Sequence, residues 1–128
     1  MLTTQVVQLK AELEKLCADG YRAEAVDADG WAIVVFEDYP LPHGFNKSRS
    51  KLLLKIPLSY PNGRPDMFWT DTDLVLAGGQ VPKNADLIET ILGGQWRRFS
   101  WHPQNWNPGA DDLCTYLEFV NDRLAKGV

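Results

Sequence analysis

Four runs of strand-forming residues follow one another between Tyr21 and Thr70, and the stretches between them are too short for crossover helices. Strands joined this closely can pair only with their sequence neighbours, in antiparallel fashion. In "YRAEAVDADGWAIVVFEDY" the "DADG" turn divides a strand over Tyr21–Val26 from one over Trp31–Tyr39. "PLPHGFNKSRS" is a loop by its Pro, Gly, Asn and Ser content, and His43 within it is a solvated residue. "KLLLKIPL" is a third strand whose unbroken apolar run implies burial on both faces. "SYPNGRP" ends it, and "DMFWT" is a short fourth strand.

Amphipathic helices flank this meander. Val6, Leu9, Leu13 and Leu16 recur at helical spacing, with Thr3 or Thr4 to cap the start and Gly20 to stop it. Cys17 falls on the same stripe and reads as a small buried hydrophobe. At the other end Leu113, Leu117, Val120 and Leu124 form a second stripe. Asn107 is placed to cap that helix, Pro108 to occupy its first position, and Asp111 and Asp112 to face its positive end. The order is helix, four-stranded antiparallel meander, long loop, helix. It predicts an α+β fold with both helices on one face of the sheet, in one domain over residues 1–128.

The stretch from Asp71 to Asn105 resists assignment. "LVLAGGQVPKNADLIETILGGQ" is broken by two Gly-Gly pairs and suggests one short helix around Ala85 to Leu92. A long irregular segment in a compact chain is where function concentrates. It carries Trp96 and leads to Trp101 and Trp106; Trp96 and Trp106 read as side chains that wrap the loop onto the core.

A chain of 128 residues with 45% hydrophobic and 23% charged residues is ordinary globular material. Its net charge of -4 leaves no basic footprint for nucleic acid. No apolar run approaches bilayer length, and the polar, periodic N-terminus does not read as a signal peptide. Cys17 and Cys114 are too few and too far apart for a secreted disulfide framework, so the expected location is cytoplasmic. No Cys/His spacing suits zinc, and neither "AGGQ" nor "LGGQ" has the context of a phosphate loop, so no cofactor or metal is expected.

Several motifs in order resemble the ubiquitin-conjugating (E2, UBC-fold) superfamily. "IPLSYPNGRPDMFW" is similar to its Tyr-Pro segment entering the active-site flap, and "WNPGADDLCTYLEFVNDRL" to its Trp-x-Pro turn and following helix. The fuller series, an "LP-G" loop, "YP…PDMFW", "FS-x-H" and "W-x-PG-x-DDL-x-TYL", resembles prokaryotic E2 family E over roughly residues 25 to 125. The resemblance implies a UBC-like fold and an E2-like carrier of a ubiquitin-like modifier. It implies as partners that modifier, an E1-like activating enzyme and a JAB-type peptidase.

Such a carrier needs an acyl-accepting nucleophile, and two alignments supply different ones. If His102-Pro103-Gln104 stands for the His-Pro-Asn tripeptide of E2s, Cys114 falls near the catalytic position, with Gln104 to stabilise the oxyanion. Trp106-Asn107-Pro108 would then precede the nucleophile instead of following it. If Trp106-x-Pro108 stands for the E2 Trp-x-Pro, the nucleophile lies in "WRRFSWH", which has no cysteine but holds Ser100 and His102. In an extended segment residues two apart share a face, so hydroxyl and imidazole can meet. The second alignment is preferred: Ser100 and His102 are the candidate nucleophile and base, the acyl product is an oxyester, and Cys114 is expected to be mostly buried and slow to react. The alternative is a non-catalytic E2-variant or RWD-like binding module.

Overall fold

The computed structural model describes residues 2–126. Helix α1 spans Val7–Ala18; strands β1 (Arg22–Ala28), β2 (Trp31–Pro40), β3 (Arg49–Pro57) and β4 (Phe68–Thr70) follow. Then come β5 (Leu87–Ile91), β6 (Gly94–Phe99) and helix α2 (Leu113–Lys126). All strand pairs are antiparallel, in the spatial order β1-β2-β3-β4-β6-β5. The α+β class and the meander order of β1 to β4 agree with the sequence reading. The sheet has six strands, not four. Met1, Gly127 and Val128, included in the expected domain, lie outside the described residues.

The added strands replace the short helix expected near Ala85 to Leu92. β5 and β6 form a hairpin whose two turn residues, Leu92 (φ 51) and Gly93 (φ 79), both take positive φ. Leucine is a poor residue for that conformation, so the usual Asn-Gly or Asp-Gly signal is missing from the sequence. The first hairpin does carry it: Asp29 and Gly30 turn between the paired Ala28 and Trp31.

Both helices pack on one face. Leu9 and Leu13 of α1 and Leu113, Leu117, Val120 and Leu124 of α2 share a core with Ala32, Val34, Phe36, Leu52, Leu54 and Ile56. The other face has a smaller cluster of Ile33, Leu53, Trp69, Ile91 and Trp96. Thus β3 is buried on both sides, as its apolar run implies. Trp96 belongs to the second cluster and Trp106 packs against the first.

The helix ends differ from the simplest reading. Gly20 (φ 106) does end α1, and Tyr21 N–H reaches back to the Leu16 carbonyl. Neither expected threonine is the cap: Val6 holds that position without a side-chain cap, Thr4 Oγ1 accepts from Val6 N–H, and Thr3 Oγ1 donates to the Ala25 carbonyl. Asn107 starts a separate turn, not α2. The cap of α2 is Asp112, which accepts from Thr115 N–H (3.0 Å) while Thr115 Oγ1 accepts from Asp112 N–H (2.9 Å). Glu12 of α1 adds a further acceptor: its Oε1 takes Leu113 N–H (2.9 Å) and the Tyr60 hydroxyl (2.5 Å).

The connection from Asp71 to Asp86 is fastened, not loose. Arg97 on β6 donates to the carbonyls of Ala85 (2.6 Å) and Thr72 (3.0 Å). Lys47 bonds Asp71 and Asp73, and Asn46 bonds Asp73 and Val75. Leu74 and Ala85 are buried in the main core.

Candidate functional site

β6 leaves the sheet at Phe99, and its last residues alternate sides. Phe99 is buried on the helix side and stacks on Phe68 at 4.9 Å between ring centroids. Trp101 packs against the same core, with the Arg123 guanidinium 4.3 Å from its ring centroid. Arg98 lies on the outer face with Trp96, two residues before it. β6 ends at Phe99: Trp101 N–H folds back to the Phe99 carbonyl (3.0 Å), so the chain turns at Ser100 and does not continue as a strand to His102, contrary to the extended segment expected there. Arg98 Nε donates to Ser100 Oγ at 3.0 Å.

The backbone around Ser100 is fixed from two sides. Its N–H donates to the Asn84 carbonyl (2.9 Å) and its carbonyl accepts from Asn84 Nδ2 (3.4 Å). Next door, Met67 N–H donates to the Trp101 carbonyl (3.1 Å), and Tyr116 of α2 donates its hydroxyl to the Met67 carbonyl. The last helix therefore braces, through Met67, the segment that carries the serine.

His102 Nδ1 lies 2.7 Å from Asp66 Oδ1, and Arg64 Nη1 reaches the same oxygen at 3.0 Å. The side chains of His102 and Asp66 remain 55% and 35% exposed. A carboxylate against Nδ1 selects the tautomer with its proton there, which leaves the Nε2 lone pair to accept one. Ser100 and His102 each have a partner of their own: Arg98 for the hydroxyl, Asp66 for the imidazole. In its bond with Arg98 the serine oxygen is the acceptor, so its own proton is left to be given to a base. A guanidinium on that oxygen also stabilises negative charge developing there.

Arg98 is itself anchored. Glu89 Oε1 lies 3.5 Å from its Nη1 and accepts from Trp69 Nε1 at 2.8 Å. Asp66 and Arg98 both border a recess of about 130 Å³ on the outer face, with Trp31, Lys55, Trp69 and Glu89 among its walls. Among the described residues no group of three or more His, Cys, Asp or Glu is arranged to hold a metal.

Neither Asp66 nor Arg98 was among the residues singled out from the sequence. Arg98 is close to Ser100 in the chain, two residues before it. Asp66 is not close to His102 in the chain: it meets His102 only after the residues between them fold into the β4–β6 pairing.

Cys114 departs from expectation. It is exposed on the first turn of α2, not buried. The buried stripe takes Leu113, Tyr116 and Leu117, and Cys114 falls between them on the helix's outer side. Its thiol pKa is nevertheless raised, first by partial loss of hydration and then by Asp112, with Glu12 and Asp19 adding to this and Lys15 opposing it. An acidic setting disfavours the thiolate, which is the reactive form. Cys17 is half-buried against the core, its Sγ 3.8 Å from the Ala23 carbonyl. His43 is exposed.

The two motifs named in the sequence meet in space. Trp106 Nε1 donates to the Pro61 carbonyl (2.9 Å), and its ring lies 6.2 Å from that of Tyr60, so the Trp-Asn-Pro turn is docked on the Tyr-Pro segment. A family model described as Prokaryotic E2 family E matches residues 9–127. The chain belongs to prokaryotic E2 family E. No curated protein and no solved structure matches it. The six-stranded α+β arrangement is compatible with an E2-like fold, and family membership gives the protein an E2-like role in a prokaryotic ubiquitin-like pathway. Among the described residues no helix is long and apolar enough to cross a membrane.

Proposed function

We propose that this family E protein is a single UBC-like domain that accepts a ubiquitin-like modifier from an E1-like enzyme as an ester on Ser100 and passes it to a target. The observation that carries the reading is the pair of contacts just past β6, in which Arg98 holds the Ser100 oxygen and Asp66 holds His102 Nδ1. Ser100 Oγ attacks the carbonyl of the E1-bound thioester and gives its proton to His102 Nε2. The thiolate leaves and an oxyester forms. A neutral amine of the target then attacks that ester, the carbon–oxygen bond to Ser100 breaks as His102 gives its proton to the departing serine oxygen, and the surplus proton on the new amide nitrogen passes to water. The E1 consumes the ATP, so the carrier itself needs no cofactor. A JAB-type peptidase in the same pathway would process or remove the modifier.

The test is to mix the protein with a prokaryotic E1-like enzyme, a ubiquitin-like modifier and ATP, and to look for a covalent adduct. Ser100→Ala should abolish it. Ser100→Cys should restore an adduct that is now sensitive to thiols, sulfur being the better nucleophile at neutral pH. His102→Ala should slow formation by about 10²–10⁴-fold.

A second reading has its own support. Ser100 and His102 each have a partner other than one another, and "WRRFSWH" lacks a cysteine. Both suit an E2-variant module that grips the modifier without chemistry. It predicts a stable complex and no adduct in the same mixture.

A further inference from the structure

We propose that the free edge of β5 pairs with the same edge of a second copy of this chain, in an antiparallel, two-fold symmetric dimer. Such a dimer is independent of what Ser100 does. β1 and β5 are the two edges of the sheet. The β1 edge is partly closed: Leu2 forms a parallel bridge to Ala25, and Thr3 donates both its N–H and its hydroxyl to the Ala25 carbonyl. Among the described residues no strand or bridge lies against the open side of β5.

The backbone phase of that edge follows from the hairpin. Leu92 and Gly93 form a two-residue turn, so the flanking Ile91 and Gly94 exchange hydrogen bonds, as do Glu89 with Trp96 and Leu87 with Arg98. The intervening Ile88 and Thr90 then turn their amide and carbonyl groups away from β6, toward the open side. Among the described residues no backbone group meets them there. A charged side chain is one common protection of such an edge. β5 has one, Glu89, and it leans inward: its Oε1 accepts from Trp69 Nε1 at 2.8 Å and lies 3.5 Å from Arg98 Nη1. Leu87 and Ile88 remain 46% and 44% exposed. An open edge with apolar side chains and its charge withdrawn is a template for another strand.

The strand matches itself. A two-fold axis through Glu89 sets Ile88 opposite Thr90 of the second copy, and Thr90 opposite its Ile88. These are the residues whose backbone groups point outward, so each pair exchanges both hydrogen bonds. The same register sets Leu87 opposite Ile91 of the second copy at both ends, an apolar pair on the outer face. The two Glu89 residues meet at the axis, where like charges directly opposite are unfavourable. Each carboxylate is instead turned toward its own Trp69 and Arg98. Centring the axis on Ile88 or Thr90 sets part of the strand against Asp86 or the Leu92 turn and pairs fewer residues. With β1 partly closed, edge-to-edge growth stops at two copies. A ladder of five residues is small beside permanent interfaces, so the dimer forms and dissociates with concentration.

The experiment is sedimentation of the full chain from roughly 1 µM to 1 mM, with amide hydrogen exchange followed by NMR at both ends of the range. The mean mass should rise from 14.4 kDa toward twice that value. Exchange at the Ile88 and Thr90 amides should slow about tenfold once roughly nine-tenths of the chains are paired. The Glu89 and Ile91 amides, already bonded to β6, should change little. Ile88→Glu, which faces Arg97 across the β5–β6 pairing, should keep the protection of Glu89 and Ile91 and stay at the protomer mass. If that variant loses the hairpin, the wild-type exchange alone decides. A single species of 14.4 kDa throughout overturns the proposal. So does a dimer that a folded Ile88→Glu leaves intact, or one in which Ile88 and Thr90 exchange at the monomer rate, since the contact is then on another face. Protection of these two amides only on adding a ubiquitin-like modifier assigns the edge to that partner and overturns pairing between copies.

Discussion

At the scale of single residues, exposure and reactivity separate. Cys114 is exposed, yet its thiol is held toward the neutral form by partial desolvation and by Asp112. The mechanism predicts that Asp112→Asn, which keeps a capping oxygen for Thr115 N–H, lowers the thiol pKa and speeds alkylation of Cys114 by iodoacetamide near neutral pH. An unchanged rate would show that the neighbouring charge does not control this thiol. Asp66 acts on His102 through the tautomer. Asp66→Asn should shift the imidazole toward a mixture of tautomers, visible in its nitrogen chemical shifts, and should slow acyl transfer by less than His102→Ala does. Identical nitrogen shifts in the two proteins would mean that the 2.7 Å contact does not orient the ring.

At the scale of elements, the start of α2 is the most heavily constructed joint. The Asp112–Thr115 pair closes the helix locally, and Glu12 reaches from α1 to Leu113 N–H and the Tyr60 hydroxyl. Glu12→Ala should cost roughly 1–3 kcal/mol in urea unfolding, from an unmet amide and a lost anion at the helix's positive end. Glu12→Gln, which keeps the acceptor oxygen, should cost less; equal losses would argue against the bond. Arg97 fastens the connection after β4, so Arg97→Met should speed amide exchange over residues 72–86 while α1 stays protected. The elements also show what could be read in the sequence. The stripes of Leu9, Leu13 and Leu16 and of Leu113, Leu117 and Val120 were plain because burial enforces a period. The β5–β6 hairpin was hidden because its turn is built on Leu92, and the cap at Asp112 because Asn107 and Pro108 offer a stronger local signal for a turn that ends before the helix. In the candidate site, Ser100 and His102 stood out by spacing, and Arg98 lies only two residues before Ser100; Asp66 is 36 residues from His102 and meets it only through the fold, which spacing does not reveal.

At the scale of the whole molecule, the sheet separates two tasks. The helix side holds most of the buried core, and the outer side holds the small Trp69 cluster, with Arg98 beside it. Leu54→Ala, a change in the main core, should cost about 2–5 kcal/mol and lower the urea midpoint without changing the slope. Acid should loosen the Lys47 clamp: the bond from Lys47 holds the Asp73 carboxyl below its usual 3.8, so the clamp's contribution is present above that pH and is lost as pH falls through the depressed value. The measurement that bears most directly on the carrier role is the mass of the protein after reaction with its E1-like enzyme, ATP and modifier, compared between wild type and Ser100→Ala. An ester on Ser100 predicts a wild-type adduct of protein plus modifier that survives reducing agent, yields to strong base, and is missing from Ser100→Ala. An adduct that forms at the wild-type rate in Ser100→Ala would contradict it.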